Sequence, residues 1–232
     1  MSLPLFLVAA LPSGPSHVLD GPEGHHAADV QRLLPGEALL LSDGAGGLVR
    51  GVVTSARKGA LTLALDEPAF VPAPDPSLTV VQGIAKGERA ELAVQLLTEV
   101  GVDRIVPWQA ARSIARWKDE RPLLRWQATA REAAKQSRRA WVPAVSAACA
   151  TRQLSLSGTV LVLHEEASVP LSAVPLPASG EITLVVGPEG GVAPEELDAI
   201  GGTAVRLGPE VLRTSTAGAA AVAALSVRLG RW

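Results

Sequence analysis

The stretch from Glu181 to Ala217, EITLVVGPEGGVAPEELDAIGGTAVRLGPEVLRTSTA, decides the fold of this 232-residue chain. Ile182 to Val186 reads as a continuous apolar strand that runs straight into Gly187-Pro188-Glu189-Gly190-Gly191. Ala193-Pro194-Glu195-Glu196 then opens a short helix, with proline at its first position and acids in its first turn. A second short strand, Thr203 to Leu207, leads into Leu207-Gly208 and a turn before the last helix, about Ser215 to Leu229. Two strand ends that both stop at glycine-rich loops describe a ligand crevice at the carboxyl edge of an α/β sheet. Glycines in the 187–191 loop let a ligand approach the backbone, and Pro188 fixes the turn. The acids after that loop already satisfy the helix's positive end, so a neutral or cationic small ligand fits better than a phosphate. Read alone, the loop is equally compatible with a tight strand-to-helix turn.

Working outward, strands and helices alternate from residue 78 onward. Leu78 to Ile84 is a strand candidate. Ala90, Ala93, Val94, Leu96, Leu97 and Val100 recur at helical spacing, and Gly101 supplies the stop. Val102 to Val106 and Thr159 to Leu163 are further strands, and a long basic helix begins near Pro122. The pattern predicts a mostly parallel sheet with helices on both faces. The first part of the chain differs. Phe6–Ala10, Ala38–Leu41, Leu48–Thr54 and Ala60–Leu65 read as short strands, one helix spans about His25 to Leu34, and Asp43-Gly44-Ala45-Gly46-Gly47 reads as a hairpin turn. This predicts a compact β-barrel. Four prolines between Glu67 and Pro76 mark an extended linker, so the expected domains are residues 1–70 and 75–232.

Composition excludes several classes. Hydrophobic content of 47% with 19% charged residues is that of a globular protein, and no apolar run reaches the length of a membrane span. The segment MSLPLFLVAALPSG lacks a basic n-region, so no secretory signal is expected, and the cytoplasm is the default location. Cys149 stands alone, which removes a disulfide framework and a cysteine zinc site. His25 and His26 have no ligand partners at metal-binding spacing, so no metal is expected. Gly44-Ala45-Gly46 precedes a hairpin rather than a helix, neither glycine loop is followed by a Walker lysine, and Ser215 lacks a nucleophile-elbow pattern.

The net charge of −2 conceals an asymmetry. Between Arg104 and Arg139 stand ten Lys or Arg against Asp119, Glu120 and Glu132, a surplus of seven that leaves the rest of the chain at −9. Trp108, Trp117, Trp126 and Trp141 are interleaved with these cations. Guanidinium groups beside aromatic rings suit phosphate contact and base stacking, and a solvated helix face with tryptophans turned inward is the plainer alternative.

Together, Gly187-Pro188-Glu189-Gly190-Gly191 and Leu207-Gly208-Pro209-Glu210-Val211-Leu212-Arg213-Thr214-Ser215-Thr216-Ala217 resemble the paired C-terminal motifs of the RsmE family. These are SPOUT-class methyltransferases of small-subunit ribosomal RNA. Lys86-Gly87-Glu88-Arg89, Thr98-Glu99-Val100-Gly101-Val102, Arg112-Ser113, Lys135-Gln136-Ser137-Arg138 with Pro143, and His164-Glu165 extend the resemblance over nearly the whole chain.

The resemblance implies an N-terminal PUA-like RNA-binding barrel and a C-terminal domain knotted in a deep trefoil. It implies methyl transfer from S-adenosylmethionine to N3 of one uridine in 16S rRNA of the small ribosomal subunit, by a homodimer. Related readings are a knotted enzyme acting on a ribose 2′-hydroxyl or another base, and a non-catalytic RNA-binding module. The cofactor residues it implies are Leu163, His164, Glu165, Gly187, Pro188, Gly190, Leu207, Gly208, Val211, Leu212, Thr214, Thr216 and Ala217. The uridine nitrogen is a poor nucleophile until its proton leaves, which calls for a proton acceptor or a group that stabilises the imidate. Arg213 is the candidate for the stabilising charge and Glu189 for the acceptor. Arg112, Arg131, Lys135, Gln136 and Arg138 are the expected RNA contacts. The chain departs from the family where Ser215 stands at a position usually held by an acid, and in its sparse N-terminal basic residues, Arg32, Arg50, Arg57 and Lys58. The apolar terminal helix, Ala217 to Leu225, gives a second reason to expect a partner subunit.

Overall fold

The structure, a computed structural model, describes residues 3–232, so Met1 and Ser2 at the head of the segment read for a signal lie outside it. Two compact units divide the chain. The first takes in the residues up to Ala73 together with Ala134–Val142, and the second holds Pro74–Ala133 and Pro143–Trp232. The excursion of 134–142 into the first unit is not part of a division at 70 to 75.

In the first unit the strands are β1 (Leu5–Leu7), β2 (Ser16–Leu19), β3 (Ala38–Ser42), β4 (Gly47–Arg57), β5 (Ala60–Leu65) and β6 (Ala69–Phe70). They form one sheet in the order β1-β3-β4-β5-β2, with β6 also on β4. Among the described residues β1 and β2 are edge strands that do not pair with each other. Along β4, Gly47, Val49, Gly51 and Val53 are buried in alternation, the period-2 pattern of a strand with one face on a core. That core contains Phe6, Leu19, Leu39, Leu41, Val49, Val53, Leu61 and Leu63. The expected hairpin joins β3 to β4, where the Asp43 carboxylate accepts hydrogen bonds from the Ala45 and Gly47 amides at 2.8 and 2.9 Å.

The helix expected from His25 begins earlier. Helix α1 (Gly21–His25) starts with Pro22 in its first turn and passes into a π-helical turn, His26–Val30. Asp20-Gly21-Pro22-Glu23 therefore carries the start signal, and Arg32, at φ 56°, follows the turn's end.

The second unit contains β7 (Ser77–Gly83), α2 (Arg89–Glu99), β8 (Arg104–Gln109), the first residues of α3 (Arg121–Gln136), β9 (Ala144–Val145), β10 (Cys149–Ala150), β11 (Thr159–Leu163), β12 (Glu181–Val186), α4 (Pro194–Ile200), β13 (Thr203–Val205) and α5 (Thr214–Arg228). Its sheet runs β10-β8-β7-β12-β11-β13, with β9 also on β8, and each of these ladders is parallel. Consecutive residues point to opposite faces. Val80, Leu161 and Leu184 join a core with residues of α2, α3 and α5, whereas Val81, Val162 and Val185 join Val192 and Ile200 on the other side. Helices thus cover both faces, as expected. After β13, at one edge, the chain returns inward so that α5 packs against β7, β12 and α2. An inward return of this kind is what the expected trefoil requires.

The tryptophans take the plainer of their two readings. Trp108 and Trp126 are fully buried, and Trp117 packs edge-on against Trp126 with ring centroids 5.1 Å apart. The Trp141 indole donates to the Val71 carbonyl at 2.9 Å and its ring meets Phe70 edge-on. Base stacking by Trp108 and Trp126 is therefore withdrawn.

Candidate active site

Strands β12, β11 and β13 are neighbours in a parallel sheet, so their carboxyl ends lie side by side. Each end opens into a loop named by the sequence. Leu163-His164-Glu165 follows β11, Gly187–Gly191 follows β12, and Leu207–Arg213 links β13 to α5. Together they enclose a cleft of about 670 Å³, within the range of small-molecule sites. Its lining includes Leu163, His164, Glu165, Gly187, Pro188, Glu189, Gly190, Leu207, Gly208, Val211, Leu212, Arg213, Thr214 and Ala217. Thr216 is absent from the lining: it is exposed, and its hydroxyl donates back to the Arg213 carbonyl at 3.1 Å, a bond local to the start of α5.

The walls are chemically mixed. Leu163, Leu207 and Leu212 are apolar, with Val186 and Val192 beneath, while Glu165, Glu166, Glu189 and Glu210 bring four carboxylates. An adenosyl group needs the apolar surface and a sulfonium cation is favoured near the carboxylates, so the lining fits S-adenosylmethionine. A Cβ placed on Gly208 would meet only a Glu210 carboxylate oxygen, at 3.6 Å, so the space beside that glycine is open.

The glycine loop is anchored on several sides. One Glu189 oxygen accepts the Lys86 amide at 3.2 Å, and the Gly187 carbonyl accepts the Thr214 hydroxyl at 2.5 Å. Arg112 reaches across from the loop after β8, where its guanidinium donates to the Gly190 carbonyl at 3.1 Å. That loop is held by Glu196, a buried carboxylate that accepts from the Ala111 amide at 2.9 Å, the Thr151 hydroxyl at 2.5 Å and the Ala193 amide at 3.3 Å. At His164, Nδ1 accepts the Glu166 amide at 3.2 Å, which in the neutral ring puts the proton on Nε2. Among the described residues the Arg213 guanidinium, exposed at the cleft, has no partner.

The expected RNA contacts are divided between the two units. Arg112 and Arg131 belong to the second, where Arg112 lines the cleft and Arg131 is exposed, and Gln136 and Arg138 are exposed residues of the first. Lys135 is a correction. It is 8% exposed and its ammonium meets Glu23 at 2.9 Å within the first unit, so it holds that unit together rather than facing solvent. Sequence reading also missed Arg89, Glu166, Gly191, Arg206 and Glu210 as cleft residues. Arg89 and Glu210 stood inside the quoted motifs, and Arg206 directly precedes Leu207, so adjacency to a strand end was the available signal.

Known families match both parts of the chain. The RNA methyltransferase domain family covers residues 72–226, and the RNA methyltransferase PUA domain family covers 19–66. The fold and cleft thus define an RNA methyltransferase architecture with a PUA-like domain. The chain is 46% identical to ribosomal RNA small subunit methyltransferase E of Mycobacterium bovis, over 98% of this chain and 93% of that protein. It is 30% identical to the Bacillus subtilis enzyme of the same name, over 91% and 90%. Ribosomal RNA small subunit methyltransferase E of Neisseria gonorrhoeae, solved bound to S-adenosyl methionine, superimposes with a TM-score of 0.86 at 29% identity, covering 98% of each chain. A Legionella pneumophila methyltransferase in complex with the same cofactor gives 0.85 at 25% identity, again covering 98% of each. The chain belongs to the ribosomal RNA small subunit methyltransferase E family.

Proposed function

We propose that this chain methylates N3 of one uridine in 16S rRNA of the small ribosomal subunit, with S-adenosylmethionine as donor. The observation that carries the reading is the cleft, where three glycine- and leucine-bearing strand ends meet an arginine with no partner among the described residues, in a chain of this family. The cofactor supplies an electrophilic methyl group on a sulfonium. Leu163, Leu207, Leu212 and the backbone of Gly187 and Gly208 would hold it.

The remaining chemistry belongs to the protein. The N3 proton must leave before the nitrogen can attack, and the resulting imidate spreads negative charge onto the flanking carbonyl oxygens. Arg213 would stabilise that charge, because among the described residues no carboxylate pairs with its guanidinium. Glu189 is the proton acceptor in this reading. Arg112 meets the RNA at the cleft, with Arg131, Gln136 and Arg138 contributing from outside it. Residues 1–70 act as the RNA-binding domain and 75–232 as the catalytic one. A cytoplasmic location follows from a ribosomal substrate, and among the described residues no helix is long and apolar enough to cross a membrane.

The direct test supplies the protein with S-adenosylmethionine and small subunits from a strain lacking its own enzyme, then locates the product by mass spectrometry of nuclease fragments. The expected product is one 3-methyluridine. A methylated ribose or another methylated base would move the chain to a different SPOUT reaction.

The same reading includes a homodimer. The apolar circumference of α5 is mostly used inside the subunit, where Gly218, Ala221, Val222 and Leu225 are buried. A stripe of Thr216, Ala220, Ala224 and Val227 stays exposed at helical spacing and offers small residues for close approach. Light scattering should give twice the 23.9 kDa chain mass. A fully active monomer at assay concentration would remove the dimer from the mechanism.

A further inference from the structure

Gln82 lies near the carboxyl end of β7, and at 1% exposure it is one of the few fully enclosed polar side chains. Its register partner is Val186, the last residue before the glycine loop. The side-chain nitrogen of Gln82 donates to the Gly83 carbonyl at 3.1 Å, the Thr214 hydroxyl at 3.2 Å and the Thr214 carbonyl at 3.4 Å. Thr214 is itself buried, and its hydroxyl donates onward to the Gly187 carbonyl at 2.5 Å. A hydroxyl has one hydrogen. With Gln82 supplying a donor to the threonine oxygen, that hydrogen is left to point at Gly187. Bonds in series polarise one another where water is excluded.

The arrangement carries a cost that demands a reason. The Gln82 carbonyl oxygen is buried with no hydrogen-bond partner, and it lies 3.4 Å from where a Cβ on Gly218 would sit. An unpaired buried acceptor is destabilising, and an apolar side chain of the same shape would avoid the loss. What the amide contributes to its surroundings is its nitrogen's bonds to Gly83 and Thr214. The surroundings leave little slack. A Cβ on Gly83 would fall 2.5 Å from the Pro188 backbone nitrogen, and one on Gly218 would fall 3.1 Å from Leu97 and 3.3 Å from Val186. The glycine loop thus packs directly on the end of β7, and the first turns of α5 pack directly on the sheet.

We infer that Gln82 and Thr214 are positioning residues for the cofactor cleft. The relay from the Gln82 amide through the Thr214 hydroxyl to the Gly187 carbonyl sets the start of α5 against the glycine loop. With that it sets the spacing between two walls of the cleft. Gln82 does not line the cleft, and Thr214 lines it with its hydroxyl already committed. This deepens the S-adenosylmethionine reading and rests on it.

The test is calorimetric titration of S-adenosylmethionine into the full chain, with steady-state kinetics beside it. Gln82→Met and Thr214→Val should each weaken cofactor affinity about tenfold, the scale of a broken buried hydrogen bond. KM for the cofactor should rise more than kcat falls. Because the bonds act in series, the double variant should bind about as weakly as the weaker single one. Thr214→Ser keeps the hydroxyl and should recover the affinity that valine loses. Val80→Ala, which thins the core two residues before Gln82 on the same strand without removing any bond of the relay, should lower the melting temperature and leave affinity alone, separating positioning from general loosening. Additive losses, failure of serine to rescue, or an equal effect of Val80→Ala would overturn the relay. Wild-type binding with unaltered affinity in both single variants would overturn it too. No cofactor binding by the wild-type chain would instead remove the reading on which the relay stands.

Discussion

Arg213→Ala is expected to lower turnover by about 10²–10³ and to leave affinity for S-adenosylmethionine nearly intact, a loss of roughly 2.7–4 kcal/mol if the side chain is a donor aimed at developing charge. The backbone of residue 213 is held independently of its side chain. At φ −67° and ψ 151° it stands at the N-cap of α5, and its carbonyl accepts the Thr216 and Ala217 amides at 2.9 Å each. Alanine adopts that conformation, so the loop survives the change. The side chain is exposed and makes no internal bond among the described residues, so deleting it should leave the fold intact. Arg213→Lys keeps the charge without the planar fork and should recover part of the loss. Kinetics at saturating cofactor, with calorimetry for binding, make the measurement. Weakened cofactor binding with normal turnover at saturation would make Arg213 a binding residue and leave imidate stabilisation to another group.

Much of this site was legible because its parts are local in sequence. Ala60–Leu65 and Thr159–Leu163 are legible at their observed limits, and Gly187–Gly191 and the turn after Leu207-Gly208 are legible as strand-end loops, although the strand read to Leu207 ends at Val205. Strand neighbours are a different matter. That β12 lies between β7 and β11, with β13 beyond β11, follows from ladders joining distant segments, and the local pattern of apolar residues does not specify it. The missed strands are instructive. Ser-His-Val-Leu at 16–19 has little apolar alternation because it is an edge strand, and Ala69–Phe70 is hidden among prolines. Lys135 was expected to contact RNA, and nothing local in the sequence reveals its partner, Glu23, which is 112 residues away in the chain. The Trp-cation alternation left two readings open for a similar reason. Interleaving along the sequence says nothing about which side of a helix or strand each ring occupies, and Trp108 and Trp126 face the core.

Gly190 and Gly208 show where one-dimensional reading stops, and the second large effect separates them. Both belong to glycine loops at strand ends, and in the sequence each suggests backbone approach to a ligand. In three dimensions they answer to different neighbours. A Cβ on Gly190 would lie 3.0 Å from the Arg112 Cβ and 3.3 Å from the Arg112 carbonyl oxygen. Its bareness therefore admits the Arg112 loop, which Glu196 holds rigidly from the other side through the Ala111 amide. A Cβ on Gly208 meets nothing closer than a flexible carboxylate at 3.6 Å, and the residue lines the cleft. Gly208→Val should thus leave the melting temperature unchanged while weakening S-adenosylmethionine binding about 100-fold or more, equivalent to roughly 2.7 kcal/mol. Gly190→Val should lower the melting temperature, because the clash is with the protein's own backbone and overpacking of this kind costs about 1–3 kcal/mol. Its effect on the cofactor is then secondary, passed through the displaced loop, and Arg112→Ala should not relieve the clash, because alanine keeps both the Cβ and the carbonyl oxygen that the new side chain meets. Differential scanning calorimetry and cofactor titration on the same samples distinguish the two positions. Gly208→Val that binds the cofactor normally would place the ligand elsewhere in the cleft. Gly190→Val that melts like the wild type but no longer binds would return Gly190 to direct contact with it.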